Sequence, residues 1–162
     1  MKPRVLWIED SARLELTNLT GPIYFAGKYD FNMAEDVTTA VTLLLSEEFD
    51  VIIVDIRLPP GIDPQWSKLY KRMGADKIQA QLGLKLLYWL LSQDRSIYRA
   101  SPPAWIKPPQ IGIFTVESSQ EIQKNLDELR VTTFQQKVAG LPDTILLDLI
   151  EDLLRQNPRL AA

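Results

Sequence analysis

The stretch Asp50-Val51-Ile52-Ile53-Val54-Asp55 sets four β-branched apolar residues between two carboxylates. An apolar run without alternation, too short for a helix, fits a strand covered on both faces, and such strands belong to parallel sheets flanked by helices. Working outward, Arg4-Val5-Leu6-Trp7-Ile8 reads as a second buried strand and ends on Glu9-Asp10. Ile111-Gly112-Ile113-Phe114 is a third such run and ends on Thr115. Two weaker candidates complete the set: Tyr29 to Ala34, and the more polar run Val131 to Gln136, which leads to Lys137.

Helical patterns alternate with these strands. Ser11 is a candidate N-cap for a helix reaching Leu19, and Asp36 caps Val37 to Glu48 with Val37, Ala40, Val41, Leu44 and Leu45 on one face. Gly83 to Leu91 is apolar enough to be buried, and Ser119 to Leu129 follows the fourth strand. Pro142-Asp143 opens a last helix, Thr144 to Arg155, with Ile145, Leu146, Leu149, Ile150, Leu153 and Leu154 inward. The chain turns at Leu58-Pro59-Pro60-Gly61, and Ser101 to Pro109 is a proline-rich loop. Five β-α units in alternation predict an α/β, flavodoxin-like, doubly wound five-stranded parallel sheet of order 2-1-3-4-5 with helices on both faces. That order sets the ends of the first and third strands side by side, at the switch point where such sheets bind ligands.

At 162 residues the chain is expected to form a single domain, 1–162, with 46% hydrophobic and 24% charged residues. No apolar run approaches the ~20 residues of a membrane span. The opening MKPRVLWIED has too short an apolar run for a signal peptide, so a cytoplasmic location is expected. The absence of cysteine excludes disulfides and thiolate chemistry, and the absence of histidine excludes a Ser-His-Asp triad and His-ligated zinc. Any metal would be a hard cation on oxygen ligands. The net charge of -3 is uneven: residues 57–110 carry nine basic and three acidic side chains. That excess is too dilute for DNA binding, which is not expected, but it favours an acidic partner or simply solvates a helix face.

The strand ends thus offer three carboxylates, a hydroxyl and an ammonium, a set suited to a divalent cation and a phosphoryl group. Taken singly, each residue is ordinary: a cap, a loop acid, a strand threonine, a surface lysine. Jointly placed, they resemble the receiver domain of response regulators in two-component signalling. The resemblance rests on Glu9-Asp10 after the first strand, Asp55 ending the third with Pro59 four residues on, Thr115, Lys137, and Phe134 three residues before the lysine. It implies Mg²⁺ held by Glu9, Asp10, Asp55 and the backbone carbonyl of Arg57. It also implies Asp55 as phospho-acceptor, with Lys137 and Thr115 contacting phosphoryl oxygens and Phe134 as a switch aromatic or, alternatively, a core residue.

The chain departs from that pattern in places. Val138 stands where the family usually has a proline with a cis bond, leaving Gly140 and Pro142 to set the turn. Val116 stands where a small residue is usual and is expected to slow phosphorylation by small donors. Arg57 and Glu117 occupy positions that tune the phosphoryl lifetime, and their opposite charges are expected to form an exposed pair. Residues of about 60–82 form an insertion and those of about 92–110 an enlarged loop. Gln65 to Lys77 would be an extra helix with Trp66, Leu69, Tyr70 and Met73 on one face. It either packs on the domain or presents a partner or dimer surface.

The resemblance implies a stand-alone response regulator without an output domain, a phospho-acceptor rather than an enzyme. Its partners would be a histidine kinase or phosphotransfer protein, an unidentified downstream protein, and in a homodimer a second copy. That dimer would use the fourth helix-fifth strand-fifth helix face or the insertion. One alternative is a pseudo-receiver that keeps the fold as a protein-interaction module without phosphorylation. A remote one is an aspartate-nucleophile phosphohydrolase, whose second acid would stand where Arg57 does.

Overall fold

A computed structural model describes residues 1–157, so the last five residues of the expected domain lie outside the described residues. Five strands, β1 (Arg4–Ile8), β2 (Asp30–Ala34), β3 (Val51–Val54), β4 (Ile111–Thr115) and β5 (Thr133–Gln136), form one parallel sheet. Their order is β2-β1-β3-β4-β5, as the alternation predicts. Val5 pairs with Val51 and Ile8 with Val54, so β1 and β3 end level. The ladder runs one residue further at three places: Glu9 N–H donates to the Ala34 carbonyl, Asp55 N–H to Ile8, and Lys137 N–H to Thr115, at 2.8, 3.0 and 2.7 Å. These bonds fix the chemistry-bearing residues at the rim of the sheet.

Seven helices surround it among the described residues: α1 (Gly21–Ala26), α2 (Val37–Ser46), α3 (Pro64–Arg72), α4 (Lys77–Ala80), α5 (Leu82–Ser92), α6 (Ser119–Leu129) and α7 (Ile145–Arg155). The two-residue period of the strands divides the core. Leu6, Ile8, Ile52, Val54 and Ile113 pack with α2, α5 and α6, whereas Val5, Trp7, Val51, Ile53 and Phe114 pack with α1 and α7. Both faces of β3 are therefore covered, and its four residues are all buried. No described helix is long and apolar enough to cross a membrane.

The first helix is displaced from its expected place. Residues 11–16 form turns, 17–19 a 3₁₀ turn, and the regular helix starts only at Gly21. Pro22 lies in the first turn of α1, where its locked φ and missing N–H are tolerated, which fits a helix that starts at Gly21. Ser11 does not cap; its N–H donates to Glu9 Oε2 at 3.2 Å. Asp36 does cap α2, accepting from Thr39 N–H at 2.7 Å, but Leu45 faces solvent and the helix ends at Ser46.

The extra helix also stops short of Lys77. Asp63 caps α3 through the N–H groups of Gln65 and Trp66, and Gly74, at φ 95°, ends it before α4 begins. Trp66 is fully buried, stacked on Tyr98 with ring centroids 5.4 Å apart, and Leu69, Tyr70 and Met73 pack on the same cluster. This face of the segment packs on the domain.

Candidate functional site

Glu9, Asp10 and Asp55 each place a carboxylate oxygen within 4.8 Å of the other two. Glu9 and Asp55 are buried and Asp10 is half-buried. Two ammonium groups compensate them. Lys137 Nζ donates to Glu9 Oε1 and, at 3.2 Å, to Asp55 Oδ2. Lys77 Nζ donates to Asp10 Oδ2 at 2.5 Å. The five groups together carry one net negative charge when all are ionised.

Electrostatics separate the two neighbouring acids. Burial, then the charge of Asp55, push Glu9 up to about 8 against the opposing pull of Lys137. Burial also pushes Asp10 upward, but its hydrogen bonds with Lys77 and Glu9 more than offset this and hold it below its ordinary value. The bond to Asp10 raises the Lys77 ammonium in turn. Three converging carboxylates, lacking any thiolate or imidazole, form a donor set that fits a hard divalent cation such as Mg²⁺.

The backbone beneath Asp55 is held tightly. Gly83, in the first turn of α5, donates its N–H to the Ile56 carbonyl at 3.0 Å. A Cβ on Gly83 would lie 2.0 Å from the Asp55 carbonyl oxygen and 2.7 Å from Ile56 Cα, so only glycine allows α5 this approach. The following loop is tied to α2: Val37 N–H donates to Pro59, and Thr38 Oγ1 donates to Pro60 at 2.6 Å.

Thr115 is fully buried, and its Oγ1 accepts from Glu117 N–H at 3.4 Å. No described hydrogen bond joins it to Asp55. The loops after β3 and β4 meet instead through Arg57 and Glu117, whose Nε and Oε1 are 2.9 Å apart. The expected pair is present but not exposed, since Glu117 is buried and Arg57 half-buried. Burial pushes Glu117 upward, yet the guanidinium of Arg57, with Glu121 and Gln81, brings it below its ordinary value. Val116 is exposed. Phe134 is half-buried against the α2-α5-α6 side of the core. All described peptide bonds are trans, including Lys137–Val138, and the chain turns at Gly140 with φ 87°.

The structure thus brings together Glu9, Asp10, Asp55 and Lys137, and pairs Arg57 with Glu117. Two contributors were not legible as such in the sequence. Lys77 reads only as part of a helix's charge, and its contact crosses 67 residues. Gly83 reads as the start of an apolar helix, although a glycine in that setting is the one available hint of close packing. A cavity of about 490 Å³ beside α3, lined by Lys68, Lys71, Arg72 and Ser96 among others, lies away from these groups. A second, of about 750 Å³ with Arg4, Asp50 and Trp105 in its lining, does so too.

No family model matches the sequence, and no curated protein does. Solved structures do match. The chemotaxis protein CheY4 of Vibrio cholerae is 21% identical with a TM-score of 0.60, covering 95% of this chain and 100% of its own. A CheY-like response regulator receiver domain protein of Methanospirillum hungatei is 18% identical with a TM-score of 0.61, covering 98% and 99%. The response regulator TrrA of Thermotoga maritima, solved in complex with Mg²⁺-BeF, is 18% identical with a TM-score of 0.55, covering 95% and 100%. The chain therefore has the fold of CheY-like response regulator receiver domains.

Proposed function

We propose that this chain is a response regulator receiver that accepts a phosphoryl group on Asp55 and signals by protein contact. The observation that supports it most is the convergence of Glu9, Asp10 and Asp55 within 4.8 Å, with Lys137 bonded to Asp55, at the rim of a receiver-type sheet. Glu9, Asp10, Asp55 and the Arg57 carbonyl would hold Mg²⁺, which when bound supplies charge neutralisation for the phosphoryl oxygens. A carboxylate oxygen of Asp55 attacks phosphorus on a partner's phosphohistidine; the O–P bond forms as the N–P bond breaks, and the imidazole leaves. Lys137 turns from the carboxylates to a phosphoryl oxygen, and the Thr115 hydroxyl, which now only accepts, donates its proton to another.

Arg57 and Glu117 lie across the loops that flank the acyl phosphate and would screen it from water, while Val116 would narrow the approach of small donors. Phe134 is the candidate switch, its half-buried ring able to move when Thr115 engages phosphate. The partner would be a histidine kinase or phosphotransfer protein, the location cytoplasmic, and the protein a phospho-acceptor rather than an enzyme. Downstream contact or dimerisation would use the α6-β5-α7 face.

A pseudo-receiver is the second reading, favoured by Val138 and by the two ammonium groups already compensating the acids. Titration with Mg²⁺ and beryllium fluoride, followed by ¹⁹F NMR, separates the readings. Saturable one-to-one binding abolished by Asp55→Ala supports the receiver, and no binding supports the pseudo-receiver. Multiple turnover of a phosphomonoester would instead indicate a hydrolase.

A further inference from the structure

Lys77 belongs to α4, a four-residue helix between the phospho-acceptor loop and α5. Its ammonium is 2.5 Å from Asp10 Oδ2. Left-handed backbone flanks it on either side: Gly74, which tolerates it, and Ala75 precede α4 at φ 95° and 53°, and Gln81 follows at φ 45°. Left-handed non-glycine residues persist only where the surroundings over-determine them, and they gather at sites under a functional constraint. Here the constraint has three anchors. Asp76 caps α4 through Ile78 N–H at 2.8 Å, Ala80 is fully buried, and Gln81 passes directly into α5, whose Gly83 presses on Asp55. The strained segment therefore delivers one ammonium to the outer carboxylate of the cluster.

We infer that Lys77 is an internal counter-ion, occupying the divalent-cation site through Asp10 and leaving it when the metal binds. This rests on the reading of Glu9, Asp10 and Asp55 as that site. Charge balance calls for one ammonium to depart. With all three carboxylates ionised around the metal, the two ammonium groups leave -1, so a dication added without loss of either would leave +1. Release of one lysine brings the balance to zero. Lys137 is held by two buried carboxylates and its side chain is 15% exposed, whereas Lys77 has one half-buried partner and is 44% exposed. Lys77, with the more exposed side chain and the single partner, is the one that moves. Metal affinity is accordingly weakened by an amount that the chain itself sets.

The test is calorimetric titration of the full chain with Mg²⁺ alone, comparing wild type with Lys77→Met and Lys77→Arg. Methionine keeps the reach of the stem without charge, and arginine keeps the competing charge. The inference expects about fivefold tighter binding for Lys77→Met, the scale of a partly exposed ion pair, and wild-type affinity within about twofold for Lys77→Arg. Lys77→Gln, a polar neutral variant, should repeat the methionine result, and thermal melts establish that each variant is folded. Wild-type binding with equal or weaker binding by both neutral variants overturns the counter-ion role while leaving the metal site standing. Absence of Mg²⁺ binding by every folded variant overturns the metal site and this inference with it.

Discussion

Where β3 ends, Asp55 is buried and the backbone on both sides of it is clamped; where β5 ends, Lys137 is half-buried and the chain beyond it is exposed. Asp55 has its N–H in the ladder, its carbonyl against Gly83 and the next loop tied to α2. Lys137 follows an edge strand in which only Thr133 is buried, and leads through exposed Val138 to a glycine turn with open space around it. The contrast assigns different tasks. The β1-β3 end fixes a carboxylate cluster with little freedom, and the β5 end supplies an ammonium and an aromatic ring that can shift.

Two glycines test that contrast with the largest expected effect. Gly83→Ala places a methyl into the Asp55 backbone and should cost about 3 kcal/mol or more, read from denaturant midpoints. Gly140→Ala meets no atom within 4 Å and carries only the left-handed penalty, about 1–2 kcal/mol. Equal costs would show that the two ends are equally rigid.

Next comes pH. Glu9 is raised to about 8 from an ordinary value of 4.5, so between those limits the folded chain binds more protons than the unfolded one. Metal-free stability should therefore fall as pH rises from about 5 to about 8, and Glu9→Gln should flatten the slope. Melts across that range that show no fall, or the same slope in both proteins, would contradict the burial argument. A smaller effect is kinetic. Glu117→Ala removes the Arg57 partner, and should alter the decay rate of phosphorylated protein by a few-fold, the scale of a single ion pair. An unchanged rate would detach that pair from the lifetime. Smallest of all, exposed Val116→Ala should leave stability within about 0.5 kcal/mol while speeding labelling by small phosphodonors.

The sheet was legible because Val51 to Val54 and Ile111 to Phe114 admit no reading but buried strands, and because strand order follows from βα alternation. The strand-end acids were legible for the same reason: polar residues abruptly closing apolar runs. The first helix was not, since Ser11 looks like a cap in the sequence, whereas in the structure its N–H is taken by the Glu9 carboxylate and the regular helix begins only beside Pro22. The end of the extra helix was missed because Gly74 stops a pattern that apolar spacing alone would continue. Lys77 and Gly83 were illegible as site components for a deeper reason. Their roles come from contacts made across the chain; Lys77 is ordinary in its local context, and the glycine at 83 hints at close packing without naming its partner.

Whether Asp55 accepts a phosphoryl group is read from labelling of the protein itself. The 162-residue chain is incubated with Mg²⁺ and a small phosphodonor until the signal reaches a plateau, and its intact mass is compared with that of Asp55→Asn. Wild type should carry one phosphoryl group per chain, lost in the variant and lost from wild type on treatment with hydroxylamine. An unlabelled wild type, or a label that persists in Asp55→Asn, would contradict it.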